Sequence, residues 1–308
     1  MNAAAELLRR GKTVAFATET VYGLGADARN DAAVAEIFKA KDRPNFNPLI
    51  VHLADLDMLE DLAETPAAAE KLLPLWPGPL TLVLPKKPNS GLSGLVTAGL
   101  DTVAVRVPAH PAARALLQAF GGPVAAPSAN PSGKVSATNA GHVLAGLQGK
   151  IAAVLDAGPC GVGVESTIIG FADNQMVLLR PGGIDMETIK RLTGQVPVVA
   201  KTGLITAPGQ MQSHYAPDVT LRMNANEPRP DEAWLGFGAN PRIAPGLNLS
   251  PTGDLTEAAI RLFDSLRKMD AICKNNGFAG FAVAPIPDTG LGLAINDRLQ
   301  RASGPRNR

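Results

Sequence analysis

The sequence predicts an α/β protein in two unequal parts. A mixed-sheet domain takes residues 1–196, an ordered linker 197–218, and a small Rossmann-like α/β domain 219–308. Three observations predict this. Short apolar runs, punctuated by 31 Gly and 26 Pro, recur through the first part, so strands and not long helices set the pace. Residues 207–217 are aperiodic and framed by prolines, too long a stretch for a casual connection. Beyond them strand, helix, strand and helix alternate, an order that implies parallel pairing.

Residues 1–12 read as a short amphipathic helix ending at Gly11. A strand at 13–17 empties into Thr18-Glu19-Thr20-Val21-Tyr22-Gly23-Leu24-Gly25. Hydroxyls, a carboxylate and glycines just past a strand's carboxyl end are suited to a ligand loop. The spacing of Val34, Ile37 and Phe38 predicts a helix over 31–41, stopped where Pro44 pushes Arg43 out of the helical region. Lys39, Lys41 and Arg43 at that end favour the helix dipole. A rigid turn carrying Asn45 and Asn47 between Pro44 and Pro48 follows, and a strand at 49–51 delivers His52. An Arg fork, two amides and a His there can converge on a polyanion.

A helix over 67–75 ends at Trp76-Pro77-Gly78-Pro79, and strands follow at 80–84 and 102–107. The second carries Arg106 among Val and Ala, so that charge must snorkel, meet a carboxylate or face a ligand cavity. After a helix at 111–120 and a strand at 124–126, the loop 127–136 offers Ser128, Asn130, Ser132, Lys134 and Ser136 ahead of a helix from Thr138. Such a loop can cradle phosphate, although it lacks the Walker A spacing. Strands at 152–155, 164–169 and 176–179, the last ending in Arg180, lead to a helix at 185–193. In the second domain, strands at 234–237 and 278–284 alternate with helices at 254–276 and 291–299. GxGxxG is absent, so no dinucleotide is implied.

Composition excludes several function classes. A net charge of +1 and 4% aromatics argue against a general grip on nucleic acid, which leaves a double-stranded RNA- or tRNA-binding module as the weaker alternative. Cys160 and Cys273 are isolated, so neither a zinc site nor a disulfide is expected. Without a signal peptide or a membrane-length apolar run, the expected location is the cytoplasm. His110 reads as a surface residue and His142 as part of a solvated helix face, while Glu19 and Glu165 read first as partners for arginines and second as groups for an ammonium or a divalent ion. What accumulates at strand ends is Thr20, Lys41, Arg43, Arg106, Ser128, Ser136, Ser166 and Arg180. Cations and hydroxyls without an acid–base pair suit phosphoryl or nucleotidyl transfer, where positioning and charge stabilisation do most of the work.

Several motifs in one order carry a resemblance: Glu19-Thr20-Val21-Tyr22-Gly23-Leu24, Lys39 to Pro44 with Asn47-Pro48-Leu49, Arg106-Val107-Pro108, Ser128-Ala129-Asn130, Glu165-Ser166-Thr167-Ile168, Arg180-Pro181-Gly182 and His214-Tyr215-Ala216-Pro217. Together they resemble the YrdC-like family in its long two-domain form. The resemblance implies a twisted mixed sheet enclosing a basic cavity, covered by the linker and a Rossmann-like domain. It implies that L-threonine, bicarbonate or carbon dioxide, and ATP give threonylcarbamoyl-AMP and pyrophosphate, the first step of N6-threonylcarbamoyladenosine formation in tRNA. ATP is then a substrate, Mg²⁺ rides on it, and a downstream threonylcarbamoyl transferase complex receives the product. Weak or no direct tRNA binding is expected, and no membrane.

By the same resemblance, Thr20, His52, Arg106, Ser166 and the Ala126 backbone would hold threonine, with Ser128 between both substrates. Arg43, Asn47, Thr102, Ser136 and Arg180 would face ATP, Tyr215 would close over it, and Lys41, Arg43, Ser128 and Asn130 would form the catalytic group. Asp42 departs from the family by standing where many members have Gly, which puts a negative charge between two phosphate-facing cations. Ala137 and Gly170 replace a common Pro and Asp, and residues 210–213 lack the lysines often found there.

Overall fold

The structure is a computed structural model describing residues 1–44, 46–172, 175–199, 214–239 and 245–304. Ten strands form one sheet: β1 Val14–Phe16, β2 Gly23–Asp27, β3 Ile50–His52, β4 Leu80–Pro85, β5 Thr102–Arg106, β6 Val124–Ala125, β7 Ala153–Leu155, β8 Thr167–Ala172, β9 Gln175–Arg180 and β10 Val198–Val199. Their order is β10-β9-β8-β4-β5-β3-β6-β2-β1-β7. Pairing is mixed: β3 with β5 and β4 with β8 are parallel, while β4 with β5 and β8 with β9 are antiparallel.

One face of this sheet positions the site. Register sets His52 beside Arg106, Ile50 and Val83 beside Ala104, and Pro85 beside Thr102. Because side chains alternate between faces, Arg106, Ala104 and Thr102 line one side of β5. Polar groups occupy one end of that face and an apolar row of Ile50, Val83, Ala104 and Ile168 its middle.

Several boundaries differ from the expectation, each for a local reason. The segment expected as loop through Gly25 turns at Gly23 into β2, antiparallel to β1. The helix expected over 67–75 is a turn at Ala67–Glu70 and a 3₁₀ turn at Leu73–Leu75, since Pro74 has no N–H to donate. The helix Asp31–Lys41 is capped by Asn30 and stops one residue before Arg43, at Asp42 in the left-handed region (φ 51°). That conformation explains Gly in the family, and Asp is among the few other residues that tolerate it. The Asp42 side chain is exposed and lies 3.7 Å from Lys150.

The second domain is a parallel sheet of four strands in the order β11-β14-β12-β13: β11 Thr220–Arg222, β12 Glu232–Gly236, β13 Gly246–Asn248 and β14 Gly280–Val283. β11 and β13 were not expected, being short, with Arg222 and Asn248 at their ends. Helices Leu255–Asn276 and Gly292–Ala302 pack against it.

The two domains share a core. Val21, Val135 and Val164 of the first belong to the same apolar cluster as Leu262 and Phe263 of the long helix. Polar ties surround it: Lys134 meets Asp218 at 2.9 Å, Arg267 donates to the Val135 carbonyl, and His142 Nε2 lies 3.3 Å from Asp264. His142 therefore faces the other domain and not solvent. At Gly163 (φ +80°) the backbone of Ala259 and Ile260 comes so close that a Cβ would strike it. Gly163→Ala is expected to cost about 2 kcal/mol or more through strain and lost docking, lowering Tm by about 4 °C or more. Calorimetry checks this against Gly161→Ala, where a Cβ meets open space and no change is expected.

Candidate active site

Side chains from widely separated segments line one cavity. The loop after β1 brings Thr18, Thr20 and Val21, and the ends of β3 and β5 bring His52 and Arg106. Ala126 and Ser128 come from the loop after β6, Ser166 and Glu165 from just before β8, and Arg180 from the end of β9. Arg43 enters from beyond the second helix, and His214 and Tyr215 close one side.

Arg106 does two of the things open to a charge in an apolar strand. Its Nη2 donates to Glu19 Oε1 at 2.5 Å, Nη1 to Thr20 Oγ1 at 2.9 Å and Nε to the Gly78 carbonyl at 3.2 Å, while the side chain also lines the cavity. Glu19 is the carboxylate partner expected for an arginine, and its second oxygen accepts from Ala109 N–H. Beside this group, Ser166 Oγ and Thr81 Oγ1 are 2.7 Å apart. Arg180 donates to the Ser166 carbonyl at 2.9 Å, and both side chains line the cavity with Arg106. Arg43 donates to the carbonyls of Pro48 (2.9 Å) and Asn47 (3.3 Å), and burial lowers its pKa to about 10.

The structure thus brings together Thr20, Arg43, His52, Arg106, Ala126, Ser128, Ser166, Arg180 and Tyr215. Four further candidates lie behind the lining. Lys41 is buried, with its ammonium on the carbonyls of Ser128 and Asn130, so it ties the second helix to the 127–136 loop. Burial, with Arg43 nearby, pushes its pKa well down. Asn130 Nδ2 donates to the carbonyls of Pro131 and Lys134 and shapes the same loop. Asn47 is fully buried beneath Arg43, and Ser136 donates to Glu165 at 2.6 Å.

Thr102 is not in this group. It borders a separate groove with Val83, Pro85 and Leu179, four residues from Arg106 on the same face of β5, about 13 Å along the strand. Residues 200–213 of the expected linker and lid 197–218, and Asn45, lie outside the described residues.

Sequence reasoning missed His214 and Arg298 as site-building residues. His214 packs edge-on against Tyr215 with ring centroids 4.0 Å apart. Arg298 is fully buried in the last helix and pairs with Glu165 at 2.8 Å. A signal for it existed: Ile295, Arg298, Leu299 and Ala302 follow the i, i+3, i+4, i+7 stripe of a buried helix face.

Both cavity histidines are held neutral. Burial pushes His52 to about 3, helped by the charge of Arg106. Burial also takes His214 to about 3, with Arg43, Lys41 and Arg180 opposing the attraction of Glu165. For Glu165 burial acts upward, but Arg298, Arg180 and the Ser136 hydrogen bond outweigh it and hold the carboxyl at about 2, against an ordinary 4.5.

Unfolded histidines take up protons near about 6.5, so below that pH the unfolded state binds more protons and stability falls as pH drops toward 3. Glu165 adds to this loss between 4.5 and about 2. The urea midpoint is therefore expected to fall already between about pH 6.5 and pH 5. A midpoint unchanged over that interval contradicts buried neutral histidines.

Two family models meet between residues 182 and 184 of the chain. A family model described as "Telomere recombination", for Sua5, YciO and YrdC proteins, matches residues 6–182. A model described as "Threonylcarbamoyl-AMP synthase, C-terminal domain" matches residues 184–304. The chain is 44% identical over 327 residues to a threonylcarbamoyl-AMP synthase of Bacillus subtilis, covering 98% of this chain and 92% of the relative. It is 43% identical to one of Pyrococcus abyssi, covering 98% and 94%. The crystal structure of P. abyssi Sua5 complexed with L-threonine matches with a TM-score of 0.88 at 40% identity, covering 98% of this chain and 93% of that one. E. coli YciO, at 23% identity and a TM-score of 0.54 over 59% of this chain, shares the fold.

Proposed function

Because the chain belongs to the Sua5–YciO–YrdC family in its two-domain form, we propose that it is a nucleotidyltransferase making L-threonylcarbamoyl-AMP and pyrophosphate from L-threonine, bicarbonate or carbon dioxide, and ATP. The observation that carries this reading is the convergence of Arg43, Arg106 and Arg180 on one shielded cavity. An amino-acid carboxylate and a triphosphate are the anions such a cavity is built to take.

Threonine sits at the Arg106 end, its carboxylate on that guanidinium, within reach of Thr20, His52, Ser166 and the Ala126 backbone. Its amine and bicarbonate condense to an N-carboxylate with loss of water; with carbon dioxide the amine loses a proton instead. A carboxylate oxygen then attacks the α-phosphorus of ATP, the bond to the β-phosphate oxygen breaks, and pyrophosphate leaves. The triphosphate lies against Arg43, Arg180 and Ser128, whose charge and dipoles stabilise the growing negative charge. The base extends along the apolar row of Ile50, Ala104 and Val83 toward Thr102, which gives that residue a place on the nucleotide despite its distance. Lys41, Asn47, Asn130 and Ser136 hold the lining residues from behind. His214 and Tyr215 exclude water from a carbamate that water would destroy.

Among the described residues no group of three or more His, Cys, Asp or Glu is placed to hold a metal. In this reading Mg²⁺ enters with ATP as part of the substrate. No helix among the described residues is long and apolar enough to cross a membrane. In this reading the protein works in the cytoplasm and hands its product to a threonylcarbamoyl transferase complex that modifies tRNA. It does not itself grip tRNA, and a filter-binding salt titration separates this from the RNA-module alternative. The reaction is tested by exchange of labelled pyrophosphate into ATP. Exchange that requires threonine and bicarbonate is expected, and exchange indifferent to threonine contradicts the reading.

A further inference from the structure

One side chain of the second domain reaches the wall of the cavity from behind. Arg298, fully buried in the helix Gly292–Ala302, donates through Nε to Glu165 Oε2 at 2.8 Å. Its Nη1 donates to the Pro181 carbonyl and to Asp297, each at 2.8 Å, and its guanidinium lies 5.4 Å from the centre of the Tyr215 ring. The other oxygen of Glu165 accepts from Ser136. Both oxygens of Glu165 are thus engaged, one by each domain. Among the described lining residues Glu165 is the sole carboxylate, in a cavity with three arginines.

A buried carboxylate that loses its partner does not stay unpaired; it protonates or turns to the next cation. The neighbouring cation is Arg180, which lines the same cavity and donates to the carbonyl and hydroxyl of Ser166, the residue next to Glu165. Arg180 is also the arginine assigned to the triphosphate in the reading above.

We propose that Arg298 is a positioning residue for the nucleotide: by holding Glu165, it makes the phosphate of ATP, and not Glu165, the anion that Arg180 meets. The second domain then sets ATP affinity through one buried ion pair, in addition to covering the site. This inference rests on the proposed reaction and deepens it. A docking role alone would raise the ATP and threonine KM values together and would not split them.

The test is a double-mutant cycle on the full-length chain, with KM for ATP and for threonine read from pyrophosphate release. Arg298→Met is expected to raise the ATP KM by about tenfold or more and the threonine KM by less than about threefold. Adding Glu165→Gln, which removes the displaced charge, is expected to restore most of the ATP KM. Arg298→Lys, a milder change that keeps the charge, is expected to give the same split at about threefold for ATP, and it serves if the methionine variant does not fold. An ATP KM within twofold of wild type in Arg298→Lys and Arg298→Met, or a double variant no better than Arg298→Met, overturns the inference. Wild-type chain that makes no threonylcarbamoyl-AMP overturns the reaction and the inference with it, whereas wild-type turnover with unmoved variants overturns the inference alone.

Discussion

Arg106→Ala is expected to raise the KM for L-threonine by about a hundredfold or more and to move the KM for ATP by less than about threefold. The guanidinium is buried at the end of β5, aimed into the cavity and fixed by Glu19, Thr20 and the Gly78 carbonyl. Such an arginine arrives at its ligand already oriented, so little freedom is lost when a carboxylate docks. Removing one partner of a buried, hydrogen-bonded charge pair costs roughly 2–5 kcal/mol, which spans about thirtyfold to several thousandfold in affinity. The same change leaves Glu19 without its ion-pair partner, so a loss of about 1–3 kcal/mol in stability accompanies it. A Tm measured alongside the kinetics separates the two, because lost stability alone lowers the active fraction without splitting the two KM values. Equal effects on both KM values refute the assignment of Arg106 to threonine.

Arg43→Ala should show the opposite split, with the ATP KM raised by about a hundredfold and the threonine KM by less than about threefold. Arg43 comes from another part of the chain, after the helix Asp31–Lys41, and two carbonyls of the 47–48 turn hold it. Burial without a carboxylate partner among its described contacts lowers its pKa to about 10, which marks a cation whose ionised form gains from a bound anion. In the proposed reaction a triphosphate would supply that anion, so tighter ATP binding is expected to accompany the full charge on Arg43. The substitution also removes the Arg43 hydrogen bonds to the Asn47 and Pro48 carbonyls, and Arg43→Lys, which keeps a charge without the fork, is expected to recover only part of the affinity. Taken together, the Arg106 and Arg43 variants divide the cavity into two substrate ends. A common effect on both substrates in both variants would show that no such division exists.

Much of this arrangement is legible in the residues because physical chemistry leaves few alternatives. A charge in the Val/Ala run at 102–107 has to be answered, and in the structure Glu19 and the cavity both answer it. Lys41 was harder to read. Lys39 and Lys41 stand two residues apart, and helical geometry puts such residues on nearly opposite faces. The stripe of Val34, Ile37 and Phe38 continues at Lys41 and not at Lys39, so it marks Lys41 as the buried one, but it does not say what answers the charge there. The structure leaves the Lys39 side chain 78% exposed and buries Lys41 on backbone carbonyls.

The 164–169 run illustrates a second limit. Its apolar ends suggest a strand throughout, yet β8 starts only at Thr167. The Glu165 carbonyl accepts from Gly183 and the Ser166 carbonyl from Arg180, so these residues spend their hydrogen bonds on the site and not on a neighbouring strand. Arg298 was illegible for a different reason. Its stripe marks it as buried, but its partner Glu165 is 133 residues away. Nothing local specifies a pairing that only docking of the two domains creates.

The central claim is that one cavity joins an amino-acid carbamate to AMP, and carbon-13 bicarbonate tests it most directly. The chain is mixed with ATP, Mg²⁺, L-threonine and labelled bicarbonate, and the products are weighed by mass spectrometry. The account predicts threonylcarbamoyl-AMP carrying one labelled carbon, formed together with pyrophosphate and lost when threonine is omitted. AMP and pyrophosphate released with no labelled adduct, or an adduct that forms without threonine, would contradict it.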